Sequence, residues 1–151
     1  MIIRHIYTDE LADLLDLYAL LHPEDSRLDP DSERIGLLWQ SIQFNPYLRY
    51  YVVEIAGKIV STCTLAIIPN LTRDARPYGI IENVFTRPDF YKQGIATALL
   101  KKTLAEAGAA DCYKVMLLTG SKKEETLRFY EKVGFRRGAK TGFIAYPDKT
   151  G

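Results

Sequence analysis

Glu82-Asn83-Val84-Phe85-Thr86-Arg87-Pro88-Asp89-Phe90-Tyr91-Lys92-Gln93-Gly94-Ile95-Ala96-Thr97 passes from a strand through a short loop into a helix that opens on one glycine and small residues. A helix N-terminus presents main-chain N–H groups without helical partners and a partial positive charge, and Gly94 with Ala96 lets a ligand approach the backbone closely. The stretch therefore reads as a place for phosphate oxygens. Other phosphate motifs fit worse. The dinucleotide fingerprint needs three glycines where this loop has one, and Gly134-Phe135-Arg136-Arg137-Gly138-Ala139-Lys140-Thr141 misses the P-loop spacing and has alanine before Lys140.

Upstream, Tyr78 to Thr86 has strand character; downstream, Ile95, Leu99, Leu100 and Leu104 share one face of a helix over about Ile95 to Ala107, with Gly108 placed to end it. Tyr113 to Thr119 then reads as a short apolar strand. Strand, helix, strand in that order implies a right-handed crossover and a parallel pair. Tyr50 to Ile55 and Lys58 to Ile68 flank Ala56-Gly57, a hairpin signal. Ahead of them, Thr8 is an N-cap candidate for a helix with Leu11, Leu14, Leu15, Tyr18 and Leu21 on one stripe. Asp31 or Ser32 caps a second helix with Ile35, Leu38, Trp39 and Ile42 inward. Pro69 to Pro77 is rich in turn formers and reads as a loop. A last helix, about Lys123 to Val133 with Leu127, Tyr130 and Val133 inward, stops at Gly134, and the remainder through Tyr146 is expected to supply one or two closing strands.

Composition narrows the function. The chain has 151 residues, 47% apolar and 26% charged, enough apolar material for one core and no segment depleted in it. Its formal charge of +1 supplies no broad positive field for a nucleic acid or an anionic membrane. Apolar runs such as Val115 to Leu118 fall far short of the ~20 residues that cross a bilayer, and acidic residues come early in the first helix, so a cytoplasmic protein is expected. Cys63 and Cys112 sit in strand-like contexts with no Cys-x-x-Cys spacing and no histidine cluster; they read as reduced core residues, and no metal is expected.

The run Val84 to Leu100 resembles the acetyl-CoA motif of the GNAT superfamily, Q/R-x-x-G-x-G/A, and Thr126-Leu127-Arg128-Phe129-Tyr130-Glu131-Lys132-Val133-Gly134-Phe135 resembles its second motif, which ends F-Y-x-K-x-G-F. The resemblance covers nearly the whole chain. It implies one α/β (α+β) domain over residues 1–151: a mixed sheet of about six to seven strands with about four flanking helices, and a parallel pair of strands that splay apart. Two positions depart. Tyr91 stands where Gln or Arg is usual, and Lys123 replaces an asparagine common at the start of the second motif. Main-chain N–H groups of Lys92, Gln93, Gly94, Ile95, Ala96 and Thr97 are expected to hold the pyrophosphate, so the loss at Tyr91 weakens binding rather than abolishing it.

The resemblance further implies that Val84, Phe85 and Thr86 pair through their main chain with the pantetheine arm of acetyl-CoA, and that an N–H near Phe85 polarises the thioester carbonyl. Transfer is expected to be direct, through a ternary complex with no protein nucleophile. An aliphatic amine is mostly protonated at neutral pH and needs a base. Glu82 is the candidate: it interrupts an apolar run, where burial brings a carboxyl towards a proton-accepting range. Tyr130 matches the family tyrosine that protonates the departing thiolate.

For the acceptor, Asn70, Arg73 and Arg76 lie in the loop before the catalytic strand, where two arginines could bind a carboxylate or phosphate, and Asn83 adjoins Glu82. His22 and Glu24 could line the same mouth. The acceptor is thus expected to be a small-molecule amine that can carry an anionic group. Ile81 to Val84 with Cys112 to Val115 is also similar to the glucosamine-6-phosphate acetyltransferase branch. A homodimer is expected, since many relatives dimerise through their C-terminal strands. An acetyl-CoA-binding sensor without turnover and a protein or peptide N-acetyltransferase are the alternatives.

Overall fold

Ala56 and Gly57 both adopt positive φ, 50° and 75°, the pair of conformations that lets a two-residue turn follow the twist of its strands. The hairpin expected there forms around them. In the computed structural model, which describes residues 1–148, the elements in chain order are β1 (Ile2–His5), α1 (Leu11–Leu21), α2 (Glu33–Phe44), β2 (Leu48–Ile55), β3 (Lys58–Ile68), α3 (Thr72–Ala75), β4 (Tyr78–Thr86), α4 (Ile95–Ala109), β5 (Val115–Met116) and α5 (Glu124–Val133). The last three residues of the span expected to form one domain lie outside the described residues. Two compact units, Met1–Leu117 and Leu118–Gly151, are described separately.

The first unit is a mixed five-stranded sheet in the order β1-β2-β3-β4-β5, antiparallel except for the parallel β4–β5 pair. On one face Ile6, Leu14, Leu17, Trp39, Val52, Ile59 and Phe85 form a buried cluster that joins α1 and α2 to the sheet. The Trp39 indole N–H ties α2 to the Thr8 carbonyl at 2.8 Å. On the other face α4 buries Leu99, Leu100 and Thr103, whose hydroxyl meets the Cys63 thiol at 3.3 Å. Burial pushes the Cys63 thiol up to about 11, as expected of a reduced core cysteine. Cys112 is only half-buried.

Several expectations are corrected. Among the described residues there are five strands and five helices, not six to seven strands and four helices. A strand needs a neighbour for its N–H and C=O groups; the segment after α5 has turns and bends from Arg137 to Lys140, no ladder, and Phe143 90% exposed. β5 is two residues long rather than seven. Gly108 lies inside α4, and the chain turns after Ala110 at Asp111, with φ 66°. Leu38 is exposed, because Ile35, Trp39 and Ile42 complete the inward stripe of α2 at spacings of four and three. Ser32, not Asp31, caps α2, and Thr8 starts a 3₁₀ turn instead of capping α1. No helix among the described residues is long and apolar enough to cross a membrane.

The start of the chain is held by one cation. Arg4 donates to Glu10 at 2.6 and 2.8 Å and to Glu54 at 2.7 and 3.1 Å, with all three side chains at most one-quarter exposed. Hydrogen bonding to Arg4 holds the Glu10 carboxyl below its usual range. A carboxylate with a depressed folded value stabilises the fold above its unfolded value, and that contribution is lost as pH falls through the folded one. Glu10→Gln is therefore expected to cost about 1 to 2 kcal/mol at pH 7, and the gap to wild type in thermal melts to narrow below about pH 4.

Candidate functional site

The site is organised by a fault in β4. Thr64 pairs with Glu82 and Thr62 with Phe85, so Cys63 alone faces two residues, Asn83 and Val84. This is a β-bulge, and Asn83 takes φ 53°, a left-handed conformation that asparagine tolerates better than most residues. The bulge changes which way the main chain faces. Ahead of it, the Gly79 N–H donates to the Lys114 carbonyl on the β5 side at 2.9 Å. Beyond it, the Arg87 N–H donates to the Val60 carbonyl on β3 at 2.8 Å. By strand alternation Phe85 also faces β3, and the N–H and C=O groups of Val84 and Thr86 point to the other edge. There the ladder with β5 covers only Gly79↔Val115 and Ile80↔Met116. The N–H on the open side thus belongs to Val84, not to Phe85, whose side chain is buried in the core with Leu14 and Trp39.

β4 leads through a 3₁₀ turn, Pro88–Phe90, into α4. Lys92 and Gly94 are both left-handed, φ 59° and 75°, and turn the chain so that the helix begins without a side-chain cap. The Ala98 N–H is the first to reach back, to the Gly94 carbonyl at 3.0 Å, which leaves the N–H groups of Ile95, Ala96 and Thr97 without helical acceptors. The first turn carries no acidic residue. These features suit a phosphate. The Gln93 carboxamide is engaged with the Asp89 carbonyl at 3.2 Å, so Gln93 has only its main chain to offer.

On the α1 face, a cavity of about 440 Å³ is lined by Leu15, Tyr18, His22, Arg27, Leu28 and Asn83, among others. It brings Asn83 and His22 together. Glu82 sits directly across the ladder from Thr64 and therefore shares its face; it precedes Asn83 in the chain but does not itself line the cavity. Glu82 is exposed, so the burial expected for it is not found. Charges at the rim are largely compensated: Arg27 pairs with Asp16 at 3.0 Å and His22 with Glu24 at 3.1 Å.

The loop residues expected at this mouth lie elsewhere. Asn70 lines a different cavity, of about 490 Å³, together with Arg49 and Ala75, and its carboxamide donates to the Thr72 and Arg76 carbonyls and the Thr72 hydroxyl at 2.9 to 3.2 Å. Arg76 pairs with Asp111 at 3.0 Å, and Arg73 lies 5.8 Å above the Tyr113 ring. This loop enters β4 at Tyr78, and about five strand residues, roughly 16 Å, separate that point from Asn83. An anion pocket built from Arg73 and Arg76 does not adjoin the bulge.

In the second unit, Tyr130 packs on α5 between Phe129 and Phe135, with ring centroids at 4.9 and 6.1 Å. Lys123 is the exposed N-cap of α5 and offers no side-chain cap; its own N–H donates to the Ser121 hydroxyl at 3.3 Å. Arg137 bridges Glu124 and Glu131 at 2.8 to 3.1 Å, fastening the chain after α5 to that helix. Tyr18 and Thr64 come together beside Asn83, with Tyr50 across the ladder from Thr64; the sequence signal for this grouping was a tyrosine in an otherwise leucine-rich stripe and a threonine in a buried strand.

Residues 11–135 match the model of the acetyltransferase (GNAT) family. The solved structure of a putative acetyltransferase from Agrobacterium tumefaciens is 38% identical, with a TM-score of 0.90, over 97% of this chain and 99% of that one. The glucosamine 6-phosphate N-acetyltransferase of Trypanosoma brucei brucei is 39% identical over 80 residues, 53% of this chain and 52% of that protein. An uncharacterized N-acetyltransferase of Methanocaldococcus jannaschii is 27% identical over 140 residues, 88% of this chain and 59% of that protein. The chain thus spans little more than half the length of these two curated relatives.

At Gly94 a Cβ meets nothing within 4 Å, but φ 75° is unfavourable to any L side chain. Gly94→Val is expected to weaken coenzyme A binding by on the order of tenfold, read by titration calorimetry, while Tyr91→Gln is expected to tighten it.

Proposed function

The chain belongs to the acetyltransferase (GNAT) family, and on that premise we propose that it transfers the acetyl group of acetyl-CoA to the primary amine of a small molecule, by direct attack in a ternary complex, as a single acetyltransferase domain over residues 1–151. The observation that carries this reading is the bulge at Asn83. It turns the main chain of Val84 and Thr86 to the open edge of β4, next to a helix N-terminus that no side chain caps.

In this reading the N–H groups from Lys92 to Thr97 hold the pyrophosphate, with Lys123 as a further phosphate contact. Val84 and Thr86 hold the pantetheine arm, and the Val84 N–H stabilises the oxyanion that forms when the amine nitrogen attacks the thioester carbon. Glu82, exposed and next in the chain to Asn83, takes the amine proton directly or through water. Tyr130 returns a proton to the departing thiolate, so the products are the amide and the free thiol. Support for Tyr130 and Lys123 is the resemblance of their motif.

The cavity on the α1 face is the acceptor site. Within it Arg27 is already paired with Asp16, His22 with Glu24, and Asp25 adds a carboxylate. That lining favours an amine's positive charge over an acceptor phosphate, so the anionic group expected from Arg73 and Arg76 loses its support. The relative's action on glucosamine 6-phosphate suggests an amino sugar as the acceptor class. A cytoplasmic homodimer completes the proposal.

The test is release of the coenzyme A thiol from acetyl-CoA with a panel of amino sugars, their phosphates, polyamines, amino acids and short peptides. Turnover with a small amine is expected, and Tyr130→Phe is expected to reduce kcat by about 100-fold or more while acetyl-CoA binding persists. Binding without release from any amine would favour a sensor, and release with peptides alone would favour a protein substrate.

A further inference from the structure

A buried hydroxyl without a hydrogen-bond partner is uncommon, because it gives up its bonds to water and gains nothing for them. Among the described residues three side-chain oxygens are in that position: the hydroxyls of Tyr18, Tyr51 and Thr64. Tyr18 and Thr64 belong to one cluster. Tyr18 rises from α1, Thr64 from β3 opposite both Tyr50 and Glu82 in the ladders, and Asn83 from the bulge of β4; Thr64 and Asn83 are the polar side chains beside the Tyr18 hydroxyl. Tyr18 and Asn83 both line the 440 Å³ cavity.

Neither hydroxyl has a hydrogen-bond partner in the fold. Phenylalanine would complete the stripe of Leu11, Leu14 and Leu21, and valine would suit the buried strand position of Thr64. Both substitutions remove an unpaired polar atom and keep the packing. The hydroxyls therefore have their use in another state of the protein.

We propose that Tyr18 and Thr64 are positioning residues for the acceptor: they hold the Asn83 carboxamide at the cavity floor, where it hydrogen-bonds a hydroxyl group carried next to the reacting amine. The inference rests on the acetyl-transfer reading and names its acceptor chemistry, a hydroxylated amine. A carboxamide offers donors and an acceptor, which suits a hydroxyl that does both. Its backbone is fixed by the bulge, so only the side chain has to be oriented. Burial pushes the Tyr18 hydroxyl well above the ordinary tyrosine range, which keeps it a proton donor throughout. Leu15, Ala19 and Leu28 give the cavity apolar wall, His22, Asp25, Ser26 and Arg27 line it from the chain after α1, and Asn83 is the lining residue that comes from the sheet.

The experiment compares wild type, Tyr18→Phe and Thr64→Val in two measurements. Thermal melts without ligand are expected to show both variants as stable as wild type or more so. Thiol-release kinetics then use matched amines, D-glucosamine against cyclohexylamine and serinol against isopropylamine. In Tyr18→Phe the KM of the hydroxylated amines is expected to rise about tenfold, with the KM values of the plain amines and of acetyl-CoA within twofold of wild type; Thr64→Val follows in the same direction. A melting temperature lowered by several degrees in Tyr18→Phe would make the hydroxyl structural and overturn the inference, as would equal changes for both amine types or none. Wild-type turnover of plain amines and not of hydroxylated ones overturns it as well. If the wild type turns over no amine at all, the acetyl-transfer reading fails first and takes this inference with it.

Discussion

A regular strand can offer its main chain to a given edge only at every second residue, and β4 has two sets of partners to satisfy. From Tyr78 to Ile81 that alternation serves β5; beyond Glu82 the strand must keep pairing with β3 while leaving a free edge. The bulge at Asn83 resolves both demands by shifting the alternation by one residue. It sends the Phe85 side chain into the core against Leu14 and Trp39, and it turns the Val84 and Thr86 main chain outward. Without it, Phe85 would face the α4 side and the α1–α2 core would lose its central aromatic. Packing and the binding edge thus depend on the same backbone step.

The same economy is visible where β4 gives way to α4. Two left-handed residues, Lys92 and Gly94, turn the chain within three positions and leave the helix start without a side-chain cap. An uncapped helix end is normally a small loss of stability. Here it follows the strand whose edge is open, so the outward N–H groups of Val84 and Thr86 and the uncapped ones of Ile95, Ala96 and Thr97 belong to one segment of chain. Main-chain donors are indifferent to side-chain substitution, so the proposed phosphate site would tolerate Tyr91 where the family motif has Gln or Arg.

Much of this was legible in the residues. Gly94 after a strand and before small residues marked the helix start, and Ala56-Gly57 marked the hairpin, because both positions require positive φ and glycine is the residue that grants it most easily. The apolar run from Tyr113 to Thr119 read as a long strand, since hydrophobicity reports burial but not whether a neighbour is present to complete a ladder; only Val115 and Met116 have one. The segment from Pro69 to Pro77 reads as a loop, but it contains the short helical turn α3, whose consecutive left-handed residues Arg73, Asp74 and Ala75 leave no mark in composition. Arg73 and Arg76 were placed near the chemistry because they are close to Glu82 in sequence. An extended strand carries them away from it, whereas helix α1, far off in sequence, folds Tyr18 and His22 back to Asn83.

That contrast bears on how, in the proposed reaction, two substrates would meet at one residue. Asn83 belongs to both sides of the sheet edge: its backbone produces the shift that turns the Val84 main chain outward, and its side chain lines the cavity on the α1 face. A group attached to the bulge cannot move independently of the N–H that would polarise the thioester. An acceptor held by the Asn83 carboxamide is therefore placed relative to the reacting carbonyl by covalent geometry over two residues, not by the packing of distant elements. Fixing two reactants to one rigid segment removes most of the orientational freedom that would otherwise have to be lost on reaching the transition state. It also gives a physical reason for the unpaired hydroxyls of Tyr18 and Thr64 beside it. A side chain with a fixed backbone has only its own torsions left to settle, and two hydroxyls within reach are enough to settle them.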